Sequence, residues 1–192
     1  MIAIVKYNAG NTKSVENAIK RLGYDCIVTD DVQQLQQADK VIFPGVGEAA
    51  SAMEYLKEKG LDQVIVNLKQ PVLGICLGLQ LLCKSSEESN TEGLGIFNVA
   101  VKKFPLLDIV PHMGWNNFSK SNTPLFDGVI QTDNVYFVHS YYAELSGNTI
   151  AQCDYILPFS AALQKDNFYA VQFHTEKSGT VGEQILKNFL AL

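Results

Sequence analysis

Basic residues, histidine and tryptophan are all scarce in this sequence, and each shortage closes off a class of function. Lys+Arg number 15 against 20 Asp+Glu, a formal net charge of −5 with no basic run. Neither a nucleic-acid partner nor an anionic membrane surface is expected from that balance. The 4 cysteines (Cys26, Cys76, Cys83, Cys153) show no C-x-x-C spacing, so neither a disulfide framework nor a zinc ribbon is indicated. The 3 histidines lack the i,i+4 spacing of a helical ligand pair, and no metal is expected. The longest apolar stretch is too short to cross a bilayer, and Met1 to Val5 is too short for a signal-peptide core. A cytoplasmic protein with reduced thiols is the expectation. The 192 residues suit one α/β domain over 1–192, without internal repeat, low-complexity tract or linker.

What is present is organised around Pro71–Leu82. Val72 to Ile75 is a short apolar run that predicts a buried strand. It stops at Gly74-Ile75-Cys76-Leu77-Gly78, and Leu77 to Leu82 predicts a helix. A strand turning sharply into a helix at Gly-x-Cys-x-Gly is the cysteine version of a nucleophile elbow. Gly74 and Gly78 lack the Cβ that would collide across so tight a turn. Cys76 then stands at a helix N-terminus, where unpaired N–H groups and the macrodipole favour a thiolate. The pentapeptide by itself is also compatible with a small apolar residue in a glycine-rich core turn.

Around that stretch the pattern alternates. Ile2–Val5, Cys26–Val28 and Val41–Phe43 are apolar runs that predict strands covered on both faces. Val15, Ala18, Ile19 and Leu22 share one helical face, and Gly23 follows where a helix-ending glycine belongs. Met53 with Leu56, and Leu61, Val64, Ile65 and Leu68, mark two more helical pieces with Gly60 between them. This alternation predicts right-handed βαβ crossovers and a mostly parallel, flavodoxin-like sheet flanked by helices. Pro44-Gly45-Val46-Gly47 and the elbow both fall at the strands' carboxyl ends, where ligands gather in such folds. Ser85 to Gly93 reads as an exposed loop. Beyond it the short strands around Val99–Val101, Val135–Val138, Thr149–Ala151, Ala161–Leu163 and Tyr169–Val171 read as antiparallel additions and edge strands. Val181, Ile185, Leu186, Phe189 and Leu190 give a closing amphipathic helix.

His174 lies in Phe173-His174-Thr175-Glu176, just after a strand. In an extended segment i and i+2 project to one side, so Glu176 can orient the imidazole and leave its other nitrogen for a thiol. The plainer alternative is a surface histidine beside a glutamate. His139 is read as a structural or substrate-shaping residue in preference to a catalytic one. His112 belongs to Pro111-His112-Met113-Gly114-Trp115-Asn116, which holds the single tryptophan.

Gly-x-Cys-x-Gly-x-Gln, followed about a hundred residues later by Phe-His-x-Glu-Lys-Ser, resembles the class I (triad-type) glutamine amidotransferases along the whole chain. Pro-Gly-Val-Gly and Pro-His-Met-Gly-Trp-Asn resemble the branch serving histidine biosynthesis. Two departures are visible: Thr175 stands in place of the usual proline, and Tyr7-Asn8-Ala9-Gly10-Asn11 is a variant first-strand turn. The first is expected to loosen the turn that holds Glu176. The resemblance implies hydrolysis of L-glutamine to glutamate and ammonia by Cys76 as nucleophile, His174 as base and Glu176 as its orienter. It implies an oxyanion hole from Leu77 and the Gly45–Val46 turn. Substrate contacts would come from Gly47, Gln80, Glu88, Ser140 and Tyr141, although Glu88 taken alone reads as a solvated loop acid. No cofactor is implied. Ammonia must be handed to a second site through a dry path, and nothing in this chain supplies one. The resemblance therefore implies a (β/α)8 cyclase subunit as partner in a heterodimer. Asn11, Met113, Trp115 and Lys177 are the interface candidates, with an ordinary core position the alternative for Trp115. A related glutaminase serving another synthase such as one aminating a sugar, a self-sufficient cysteine hydrolase, and a non-catalytic binding module are the competing readings.

Overall fold

Ile2 and Ile4 bury into one apolar cluster and Ala3 and Val5 into another, so the first strand is covered on both faces. The computed structural model describes residues Met1–Leu192. Its strands in chain order are β1 (Ile2–Val5), β2 (Cys26–Thr29), β3 (Lys40–Gly45), β4 (Val72–Cys76), β5 (Cys83–Ser86), β6 (Thr91–Glu92) and β7 (Phe97–Lys103). They continue with β8 (His112–Asn116), β9 (Ser119–Lys120), β10 (Val135–His139), β11 (Tyr141–Ala143), β12 (Thr149–Tyr155), β13 (Leu157–Lys165) and β14 (Phe168–Val171). The helices are α1 (Thr12–Arg21), α2 (Val32–Gln37), α3 (Ala49–Glu58), α4 (Leu61–Val66), α5 (Leu77–Leu82) and α6 (Gly179–Ala191).

The main sheet has the order β2-β1-β3-β4-β14-β13-β12-β9. From β2 to β14 every pairing is parallel, and from β14 outward every pairing is antiparallel. The parallel part follows the doubly wound order 2-1-3-4-5, with β14 as its fifth strand. This is the expected α/β architecture, with two corrections. The strand around Tyr169–Val171 is neither an antiparallel addition nor an edge: β14 lies in the middle and runs parallel to β4, Val171 opposite Ile75. Its residues are nearly all apolar and buried, as an interior strand requires.

A four-stranded sheet, β11-β7-β5-β6, and a two-stranded ribbon, β10-β8, complete the fold. The stretch Ser85–Gly93 is therefore not a simple exposed loop. It contains β6, and Ser86 and Thr91 are buried. Helix α2 escapes a periodicity search because only Leu35 is buried on it; Asp31 caps it, its carboxylate accepting from Gln34 N–H at 2.8 Å.

At the elbow, Cys76 adopts φ 53°, ψ −108°, outside the regions favoured by side-chain-bearing residues. Two glycines make that turn possible. A Cβ on Gly78 would fall onto the Phe43 carbonyl oxygen, and one on Gly74 would come within 2.7 Å of Leu82 Cδ1. Gly78→Ala is expected to cost about 3 kcal/mol of stability, because the obstacle is sheet backbone that cannot step aside. Urea unfolding measures this, and an unshifted midpoint would show that the turn does not need the glycine.

Candidate active site

Cys76 ends β4 and His174 follows β14, so the pairing of these two adjacent strands brings thiol and imidazole to the same sheet edge. Beyond His174 the chain does not stay extended as the sequence suggested. It turns through a short 3-10 segment, Thr175–Lys177. The turn still delivers Glu176, whose Oε1 lies 2.7 Å from His174 Nδ1. Both side chains are fully buried. The expected loosening at Thr175 is countered by closure of the turn. Lys177 N–H and Ser178 Oγ donate to the His174 carbonyl at 3.1 and 2.6 Å, and Ser178 N–H donates to that of Thr175 at 3.2 Å.

With Nδ1 committed to Glu176, Nε2 is the free ring nitrogen, and it is buried without a hydrogen-bond partner. Cys76 is close enough to influence the charge of the ring. Burial pulls the His174 pKa down, but the neighbouring Cys76 sulfur and Glu176 carboxylate outweigh it and raise it to about 10. For Glu176 burial acts upward and is overcome by His174, its own N–H and Asn11, leaving the carboxyl below its ordinary range. These two shifts describe one interaction seen from either side.

Two positioning contacts were not legible in the sequence. Asn11, an interface candidate, donates its side-chain N–H to the same Glu176 Oε1. Gln172 donates to Cys76 Sγ at 3.7 Å and accepts from Gln80 Nε2 at 3.1 Å. Its only sequence signal is the i,i+2 relation to His174. The thiol itself points toward the Val138 carbonyl at 4.0 Å.

A cavity of about 400 Å³ opens beside the thiol. Val46, Gly47, Leu77, Gln80, Glu88, Ser140 and Tyr141 all line it together with Cys76. Gly45 stands just behind, paired in register with Cys76, and a Cβ there would meet the Tyr7 hydroxyl. Two of the lining groups have further work. Glu88 is no solvated loop acid: its carboxylate accepts from Ala49 N–H at 2.7 Å and caps α3, and burial raises its pKa. Gln80 is buried and donates to the Tyr141 carbonyl at 3.0 Å. Met113, Trp115 and Lys177 lie outside the cavity, exposed on the surface. Trp115 is thus not a core residue; it is 58% exposed and packs edge-on against Tyr136.

A cysteine at a sharp strand-to-helix turn of a parallel sheet, a buried histidine–carboxylate pair behind it and, in front, a largely apolar cavity with a few polar groups form a nucleophile–base–orienter arrangement suited to acyl transfer. The model of the family described as glutamine amidotransferase class-I matches residues 3–192, and the chain belongs to that family of enzymes. Among solved structures, a glutamine amidotransferase shares the fold with a TM-score of 0.77 at 18% identity, covering 99% of this chain and 97% of that one. The glutaminase domain of Trypanosoma brucei CTPS aligns with a TM-score of 0.65 at 17% identity, over 99% of this chain and 93% of that one. Much nearer in sequence is the imidazole glycerol phosphate synthase subunit HisH of Bacteroides thetaiotaomicron, 58% identical over 194 residues, 100% of this chain and 99% of the relative. The protein of that name from Colwellia psychrerythraea is 45% identical, covering 98% of this chain and 92% of the relative.

The raised His174 value has a sign that can be checked. A histidine whose pKa rises on folding stays protonated well above the ordinary 6.5 and loses its proton, with the stability it confers, only as pH climbs toward about 10. In a ring-resonance NMR titration, His174 is expected to remain charged at about pH 8. Glu176→Gln is expected to move its titration back toward 6.5. A wild-type midpoint already near 6.5 contradicts the coupling.

Proposed function

We propose that this chain is the glutaminase subunit of an imidazole glycerol phosphate synthase, acting through Cys76, His174 and Glu176. The observation that carries the catalytic reading is the buried 2.7 Å His174–Glu176 pair behind an elbow cysteine at φ 53°. The client is supported by the relatives' shared name at 45–58% identity over nearly the full chain.

In the proposed reaction glutamine enters the cavity with its side-chain amide against Cys76. Sγ, its proton already held by the charged His174 ring, attacks the amide carbon. The negative oxygen of the tetrahedral intermediate meets the Leu77 N–H and a donor of the Gly45–Val46 turn; losing one such donor typically costs about 3–4 kcal/mol of barrier. His174 then gives its proton to the departing nitrogen, the C–N bond breaks, and ammonia leaves a γ-glutamyl thioester on Cys76. Water, activated by His174, cleaves the thioester to glutamate and restores the thiol. Glu176 keeps the imidazole aimed throughout and stabilises its charge. Gly47, Gln80, Glu88, Ser140 and Tyr141 hold the amino-acid end of the substrate, with Gln80 doing so mainly by fixing the Tyr141 carbonyl.

Ammonia protonates in water and ceases to be a nucleophile, so the product needs a protected route. In this reading it passes to a (β/α)8 cyclase subunit in the cytoplasm, which converts PRFAR to imidazole glycerol phosphate and AICAR. The exposed Met113 and Trp115 on β8 support a docking face there, since large apolar side chains at such exposure are what interfaces cover. In this reading Asn11 and Lys177 also meet the partner, Asn11 while holding Glu176.

Cys76→Ala in the assembled enzyme is expected to abolish glutamine-dependent product formation and leave ammonia-dependent formation intact; loss of both, or of neither, sinks the division of labour. Trp115→Ala is expected to weaken assembly by about 2 kcal/mol with the thermal stability of the isolated chain nearly unchanged. Calorimetric titration against the cyclase reads this, and equal affinity with the wild type removes Trp115 from the interface.

A further inference from the structure

The two histidines left without a catalytic part form a continuous hydrogen-bonded chain that ends on the rim of the cavity. His139 Nδ1 lies 2.7 Å from the Tyr141 carbonyl, so that nitrogen carries the proton. The other nitrogen, Nε2, lies 3.1 Å from His112 Nδ1, which must then be the donor between the two rings. His112 Nε2 is left as an acceptor and faces the Asn116 side-chain N–H at 3.5 Å. One tautomer of each ring satisfies the whole chain, and it requires both to be neutral. Burial favours that state in both, lowering His112 to about 4 and His139 to about 3. The His112 ring is fixed between Phe137 and Tyr155, with stacked centroids at 4.8 and 4.0 Å.

The segment on which the chain ends is a joint. Ser140 is the single residue between β10 of the ribbon and β11 of the four-stranded sheet. Its carbonyl accepts from Phe104 N–H at 3.1 Å, and the next carbonyl, of Tyr141, receives both His139 and Gln80. The Ser140 carbonyl continues the β11–β7 pairing onto Phe104, whereas the Tyr141 carbonyl takes its hydrogen bonds from the side chains of His139 and Gln80. Ser140 and Tyr141 both border the cavity.

We propose that His112 and His139 are positioning residues: linked ring to ring, they lock the Tyr141 carbonyl and thereby preform the Ser140–Tyr141 rim that holds the amino-acid end of glutamine. The proposal rests on the glutaminase reading above and assigns to the pair a role in substrate affinity, not in the chemistry at sulfur.

The test uses two labels of Cys76 on the full chain, an electrophilic glutamine analogue that needs the rim and iodoacetamide that does not. His112→Phe keeps the stacked aromatic volume and removes the donor; His112→Asn loses volume but keeps an N–H where Nδ1 stood. His112→Phe is expected to raise the half-saturating analogue concentration about tenfold, with the maximal labelling rate and the iodoacetamide rate unchanged. His112→Asn is expected to restore much of the affinity. If packing alone matters the order reverses, with Phe near wild type and Asn impaired, and the proposal fails. It fails equally if both variants slow iodoacetamide, because the effect then lies at the nucleophile. Should the His112 variants not fold, His139→Asn, which keeps a donor to Tyr141, is expected to stay near wild type while His139→Leu loses affinity; equal behaviour overturns the idea. A wild-type chain that iodoacetamide labels and the glutamine analogue does not would instead refute the glutaminase reading.

Discussion

The Phe43 carbonyl oxygen occupies the space where residue 78 would carry a Cβ, and the rest of the site follows from that contact. Helix α5 can approach β3 only because residue 78 is glycine. The approach forces the chain to reverse at Cys76, which takes a positive φ that costs on the order of 1–3 kcal/mol for a residue with a side chain. Packing on both sides maintains the turn: Leu73 and Ile75 on one face of β4, Val72 and the leucines of α5 on the other, are all buried. The strain is local, and what it achieves is to bring a buried thiol to the wall of the cavity, which Cys83 and Cys153 do not line; burial pushes the pKa values of those two up.

A second constraint completes the first. Because β14 is inserted beside β4, His174 emerges next to Cys76, and the turn after it folds Glu176 behind the ring. Strand β10 then ties the arrangement down: the Tyr136 carbonyl accepts from His174 N–H at 2.9 Å, Tyr136 N–H donates to Ser178 Oγ at 2.9 Å, and the Val138 carbonyl faces the thiol. The same strand pairs with β8, whose outer side chains are Met113 and Trp115. The ribbon that carries the surface proposed for the partner is thus the one that ties down the groups proposed for catalysis.

Much of this was legible in the residues. The elbow pentapeptide announces itself because only glycines tolerate the close approach, and the helices with three or more buried positions show their period. Less legible were features set by long-range pairing. The apolar run Tyr169–Val171 carries no mark of being central and parallel, since a buried strand looks the same in either sense. The strand β8, interrupted by Gly114 and alternating irregularly, was not readable at all. Asn11, Gln172 and the His112–His139 pair act through partners 165, 96 and 27 residues away, and a hydrogen bond across such a separation leaves no local pattern.

The most direct test of the central claim is acid-quench mass spectrometry of the assembled enzyme during turnover of glutamine, with the cysteine peptides resolved. A γ-glutamyl adduct on Cys76 during wild-type turnover, lost when His174 is replaced and absent from Cys26, Cys83 and Cys153, is the expected result. Glutamine turnover with Cys76 unmodified at every quench time, or an adduct on another cysteine, would contradict the account.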